Sequence, residues 1–203
     1  MKIGFLLHSL AFHSLACALL VTSAGVAAAA DTWKIDPNHS SAQFSVRHMG
    51  ISTVRGAFTK VSGTVDYDSS QTANSSVEVT IDTNSIDTRV EMRDKDLKSD
   101  HFFDVAKYPT ITFKSTRVEV GGPGKLKVMG DLTMHGVTKP VALDVEGPTP
   151  PVKDPKGNLH MGASATTKVK RSDFGMTFGQ AMVGDDIEIT IDTEMTKAAA
   201  ATP

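Results

Sequence analysis

Cysteine is almost missing from this chain: the only one is Cys17, inside the first thirty residues. The remainder therefore has no disulfide framework and no thiolate metal site. Basic runs are missing too. The 21 Lys and Arg are scattered among 23 Asp and Glu, for a formal charge of −2. A balance of that kind argues against nucleic acid or anionic lipid headgroups as the main partner. Catalytic signatures are equally scarce. The chain has no G-x-S-x-G elbow and no Ser, His and acid at triad-like spacing. Asp173-Phe174-Gly175 matches the kinase DFG triplet, but neither a Gly-rich phosphate loop nor an HRD sequence accompanies it. His101, His135 and His160 are isolated, without an H-x-x-x-H pair or cysteine partners. The expected reading is no enzyme, no structural metal and no cofactor.

What the N-terminus does contain is a pattern. Lys2 is followed by a mostly apolar run through Leu20 and Val21, then by Ala27-Ala28-Ala29-Ala30. A basic start, an apolar middle and a small-residue end describe a secretory signal peptide over residues 1–30, cut before Asp31. His8, Ser9, His13 and Ser14 interrupt the run, and no basic stop-transfer cluster follows, which disfavours a retained anchor. Ser14 and the apolar continuation beyond Cys17 disfavour lipidation of that cysteine. The expected product is periplasmic. Removing residues 1–30 leaves 173 residues and, with Lys2 gone, a charge of −3. That length suits one domain, here residues 31–196, followed by a frayed tail over 197–203.

Period-two alternation dominates this domain. Ala42, Phe44, Val46 and His48 alternate with polar neighbours, as do Val77, Val79 and Ile81. Ile111 with Phe113, Val141 through Val145, and Ile187 through Ile191 repeat the pattern. Each is an antiparallel strand with one dry and one wet face. Gly50, Gly56, Gly63, Gly130 and Gly162 punctuate the runs and suggest bulges or bends. Gly121-Gly122-Pro123-Gly124 reads as a turn, and residues 147–158 as a Pro-rich loop. Short strands joined by turns indicate a sandwich or a barrel, and the pattern alone does not choose.

One segment departs from the alternation. Thr88-Arg89-Val90-Glu91 fits a capping box, and Glu91 with Lys95 and Asp94 with Lys98 fit helical pairs. A helix of about three turns ending near Ser99 is expected, followed by the aromatic pair Phe102-Phe103.

Five motifs lie along the chain. They are W-x-I-D-x-x-H-S from Trp33 to Ser40, RD-x-x-L-KS from Arg93 to Ser99, FFDV-x-KYPT from Phe102 to Thr110, GDLT-x-x-GVTKPV from Gly130 to Val141, and RSDFGM from Arg171 to Met176. Together they resemble the YceI-like family of lipid- and polyisoprenoid-binding proteins, over about Thr32 to Glu194. The resemblance implies an all-β, lipocalin-like antiparallel barrel of about eight strands with a short helical insert. It also implies carriage of a polyisoprenoid or other long-chain amphiphile in the periplasm. An isoprenoid quinone is the attractive case, with a b-type cytochrome or quinone-linked membrane protein as partner.

On that reading, Phe44, Val46, Val79, Ile81, Ile111 and Phe113 line the pocket. Phe102 and Phe103 close over the apolar chain, and Arg93 or His48 meets a polar head. His39 is a further candidate for the head. Where family members often carry histidine, this chain has Asp96, so the helix supplies no imidazole there. The alternative is a secreted structural or stress-protective module whose barrel is filled with side chains, since packed core and pocket lining require the same residues. In either reading the DFG segment is a strand-end turn, with Gly175 bending and Phe174 packing inward.

Overall fold

The computed structural model describes residues 30–198, so the expected leader and most of the expected tail lie outside the described residues. The chain forms β1 (Asp31–Ile35), β2 (Ser41–His48), β3 (Ser52–Phe58), β4 (Val61–Tyr67), β5 (Ser76–Asp82) and β6 (Ile86–Asp87). Helix α1 (Glu91–Lys98) then precedes β7 (Thr110–Gly122), β8 (Lys125–Met134), β9 (Val137–Glu146), β10 (Val152–Lys153), β11 (Leu159–Lys170) and β12 (Val183–Lys197).

Eight strands close on themselves in the order β11-β9-β8-β7-β5-β4-β1-β12, and β12 returns to β11. All the neighbours are antiparallel, and the longest seam runs from His160↔Thr196 to Lys170↔Asp186. The fold is the expected antiparallel barrel. Closure removes the exposed sheet edges that an open sandwich would leave to pair with other chains. One edge of β12 is shared: Met195 to Lys197 pair with β1, and Val183 to Asp192 pair with β2. Strands β2, β3 and β6 thus prolong the wall at one end. Lys197 is itself paired with Trp33, and the Ala198 amide donates to the Thr32 carbonyl at 2.9 Å. The barrel therefore runs past residue 196, where the tail was expected to begin.

The alternation decides which side chains face in. Along β12, Ile187, Ile189 and Ile191 point to the interior while Glu188 and Thr190 are exposed. Trp33, Val61 and Phe174 are almost wholly buried. Two glycines mark close approach to a neighbouring ring. A Cβ on Gly56 would lie 2.6 Å from Phe44 Cζ, and one on Gly130 would lie 2.5 Å from both the Lys114 carbonyl oxygen and Phe113 Cζ. Each phenyl ring lies across backbone that has no side chain. One register irregularity lies beside Gly130, between the pairs Ser115↔Gly130 and Arg117↔Met129; the others fall near the end of β7 and near the start of β12.

The helix is shorter than expected, about two turns, and it is not closed by a capping box. Val90 occupies the cap position without a side-chain bond, and Asp94 Oδ1 accepts instead from the Thr88 amide at 2.9 Å and from the Thr88 hydroxyl. Thr88 is buried, so its polar groups need partners inside the protein, and Asp94 answers that need. The Pro-rich loop also folds back on the wall: its two-residue strand β10 pairs with Leu159 and His160.

Candidate functional site

The barrel encloses an apolar cavity of about 250 Å³. Its wall includes Phe44 and Val46 from β2, Val79 and Ile81 from β5, and Ile111 and Phe113 from β7. Directly paired positions supply part of this surface, since Val79 faces Phe113 and Ile81 faces Ile111 across the β5–β7 ladder. Period two then carries these side chains to one face. Leu97, Phe102 and Phe103 contribute from the helical insert. Phe103 meets Phe58 edge-on with ring centroids 5.4 Å apart, which fixes the insert to β3.

Two expected contacts do not face this space. His48 ends β2 opposite Val183 and Ser52 and does not line the cavity. Strand β2 stays regular against β3 as far as His48↔Ser52, so His48 falls at the strand's end, where the neighbouring β12 is irregular between Val183 and Ile187. Arg93 also turns away. Its Nε donates to Thr88 Oγ1 at 2.8 Å and its Nη2 to the Thr88 carbonyl at 2.9 Å. The buried threonine takes the guanidinium as it takes Asp94.

Four methionines in the wall, Met134, Met161, Met176 and Met195, were not among the expected lining. Their signal was present: Met161, Ala163, Ala165, Thr167 and Val169 alternate along β11, but small and polar members weaken the apolar count. The volume lies a little below the range of about 300–1,000 Å³ common for ligand sites. Unbranched thioether side chains are the residues best able to move aside for a longer occupant.

Arg171 was also missed as a site residue. It lines the cavity, and the residue as a whole is only 3% exposed. Nε donates to the Gly184 carbonyl at 3.0 Å, Nη1 to those of Met176 and Phe178 at 2.7 and 2.8 Å, and Nη2 to that of Val183 at 2.9 Å. Burial lowers its pKa, and the Asp185 carboxylate opposes that shift. The bend before this loop is as expected: Gly175 is left-handed at φ 78° and Phe174 is 1% exposed.

A second, shallow cleft lies on the outer wall, where β1 turns into β2. His39 Nδ1 is 2.8 Å from Asp36 Oδ2, and His160 Nδ1 is 2.9 Å from Glu194 Oε1. His160 Nε2 also reaches Asp154 Oδ2 at 3.4 Å. The hydrogen bond to His39 lowers the Asp36 pKa, and the same bond raises that of His39. Asp154 is pushed down to about 2, chiefly by the Asn158 side chain and by backbone amides of the loop. Asp36, His39 and Glu194 present ligand-type atoms within 4.8 Å of one another. Of His39 and His160, both are already engaged by carboxylates, so this cleft serves first to tie the Pro-rich loop and the β1–β2 turn to β11 and β12.

A closed eight-stranded antiparallel barrel around an apolar cavity, with a short helical insert at one end, is a lipocalin-like architecture. The chain belongs to the family described as the YceI-like domain, whose model matches residues 33–195. A UPF0312 protein of Vibrio cholerae is 40% identical over 174 residues, spanning 85% of this chain and 92% of the relative. Among solved structures, BcnA of Burkholderia cenocepacia superposes with a TM-score of 0.70 at 25% identity, covering 79% of this chain and 98% of its own. A polyisoprenoid binding domain from Saccharophagus degradans, implicated in plant cell wall breakdown, shares the fold. Its TM-score is 0.59 at 16% identity, covering 82% of this chain and 98% of its own.

Proposed function

We propose that this protein is a periplasmic carrier that binds a polyisoprenoid or similar long-chain amphiphile inside its barrel. The observation that carries the reading is the cavity itself, an apolar interior lined from both the sheet and the insert. The YceI-like family and the fold shared with a polyisoprenoid binding domain support the same class of ligand. Transport or storage follows from the chemistry of such a chain. Each Å² of isoprenoid hidden from water contributes about 25 cal/mol before the costs of association. No bond has to be made or broken, so the proposed role is non-catalytic. An isoprenoid quinone is the specific ligand proposed, delivered to or from a b-type cytochrome or another quinone-linked membrane protein.

The test is mass spectrometry of an organic extract from protein purified out of its native compartment. An isoprenoid recovered in amounts comparable to the protein is the expected result. An empty extract, together with calorimetry showing no uptake of added isoprenoid quinone, would favour a filled barrel acting as a structural or stress-protective module.

A further inference from the structure

Most of the well-exposed large apolar side chains of the described residues gather at one end of the barrel. Met49 and Ile51 stand on the tip joining β2 to β3, Phe178 and Met182 on the loop before β12, and Val90 and Met92 at the start of α1. Ile51 is 77% exposed and Met92 82%. The two tips are bonded together, since the Met49 amide donates to the Met182 carbonyl at 2.6 Å. Phe178 stacks on His101, with centroids 4.0 Å apart, and meets Phe102 edge-on at 5.8 Å. Phe102 also lines the cavity, so an apolar path joins the interior to this surface.

Charge is withdrawn from the two tips, though not from the start of α1, where Arg89, Glu91, Arg93 and Asp94 flank Val90 and Met92. Residues 48–54 and 174–184 contain no Asp, Glu, Lys or Arg, in a chain with 44 such residues (21 + 23). Arg47 and Arg55 flank the first run, and Asp173 and Asp185 the second; Arg47 Nη2 donates to the Gly50 carbonyl at 2.6 Å and so sits at the tip.

We propose that this end of the barrel docks on the surface of a phospholipid bilayer, with Ile51, Phe178 and Met182 entering the interface and Arg47 facing a headgroup phosphate. The inference rests on the carrier reading above and adds where the cargo enters and leaves. Apolar side chains presented on separate turn tips suit insertion among lipids, whereas a protein partner is usually met by a broader packed patch with a polar rim. A guanidinium beside them matches a phosphate oxygen. The negative formal charge of the chain favours zwitterionic over anionic lipid.

Flotation with vesicles of phosphatidylethanolamine and phosphatidylcholine in equal parts tests the proposal. The full protein is expected to float, and the triple variant I51S/F178S/M182S to lose about tenfold or more in vesicle affinity. Val120→Ser and Val152→Ser, exposed away from this end, are expected to float like the parent. Should the triple variant misfold by circular dichroism, Ile51→Trp supplies an independent reading. The chain's only tryptophan, Trp33, is 2% exposed, so a blue shift on adding vesicles reports the new side chain. A parent protein that does not float, a folded triple variant that floats equally, or no blue shift overturns the proposal. So does a dimer in ultracentrifugation that ignores vesicles and is dissolved by the triple variant, which would make the surface a self-interface. Cargo is measured separately in the extract. Isoprenoid present without vesicle binding sinks only the docking, whereas vesicle binding by a protein that never holds isoprenoid sinks the carrier reading.

Discussion

Arg171 Nη1 lies 2.7 Å from the carbonyl oxygen of Met176, so a guanidinium at the cavity wall is committed to the loop beyond it. A planar fork distributes its N–H groups over four carbonyls, which a single ammonium with three donors does not reproduce. Arg171→Ala leaves those oxygens unpaired in a mostly buried setting and is expected to cost about 3–5 kcal/mol of stability. Arg171→Lys should recover only part of the loss. Urea denaturation of both variants measures it, and a change below about 1 kcal/mol for Arg171→Ala would contradict the assigned role.

Val79 faces Phe113 across the ladder inside the cavity. Val79→Asp brings a carboxylate into a largely apolar space, and a buried charge without a partner is strongly disfavoured. Uptake of a fluorescent isoprenoid should fall by about a hundredfold or more, while Val79→Ile binds nearly as the parent does. A folded Val79→Asp protein that still retains isoprenoid would show that this face is not the pocket.

Phe102 touches the cavity on one side and Phe178 on the other. Truncating Phe102 and Phe103 to Ala should speed ligand release more than it slows entry, because affinity differences within one site usually appear in the off-rate. Phe102, being buried, should also lose about 3–5 kcal/mol on truncation, with a smaller loss at the more exposed Phe103. Stopped-flow release from variants first shown to be folded separates the two effects. Unchanged release in the double variant would reduce the insert to packing.

On the outer wall, Asp36 and His39 shift in opposite directions because each favours the charged form of the other. The histidine's contribution is complete below its ordinary value of 6.5 and is lost as the pH rises through its raised value. For Asp154 the sign is reversed: its contribution is present above its ordinary value of 3.8 and is lost as the pH falls toward about 2. An NMR titration of His39 should therefore inflect above 6.5, and Asp36→Asn should bring it back toward that value. An inflection unmoved by Asp36→Asn would mean that the 2.8 Å bond does not form in solution.

Local pattern was enough for several of the strands and for part of the wall. Phe44, Val79, Ile81, Ile111 and Phe113 were legible because period two is a property of a single strand, and burial of one face of an antiparallel sheet selects the apolar members. Glycine was legible as a special position, and an irregularity does lie beside Gly130, but the phenyl rings laid across Gly56 and Gly130 come from neighbouring strands and have no local signal. Arg93 was misplaced for a related reason. Where a long polar side chain points depends on which buried group is left unpaired nearby, and Thr88 makes that choice for Arg93.

Closure itself, with β12 returning to β11, belongs to tertiary structure, because a strand's alternation does not specify its neighbours. The same holds for His39, His160 and Glu194, which have no motif spacing and meet only because β1, β11 and β12 adjoin. The apolar tips at Met49 and Met182 are 133 residues apart (182 − 49) and are joined by one backbone hydrogen bond. A chain encodes its own periodicity locally, whereas partnerships between distant segments exist only once burial has brought the strands together.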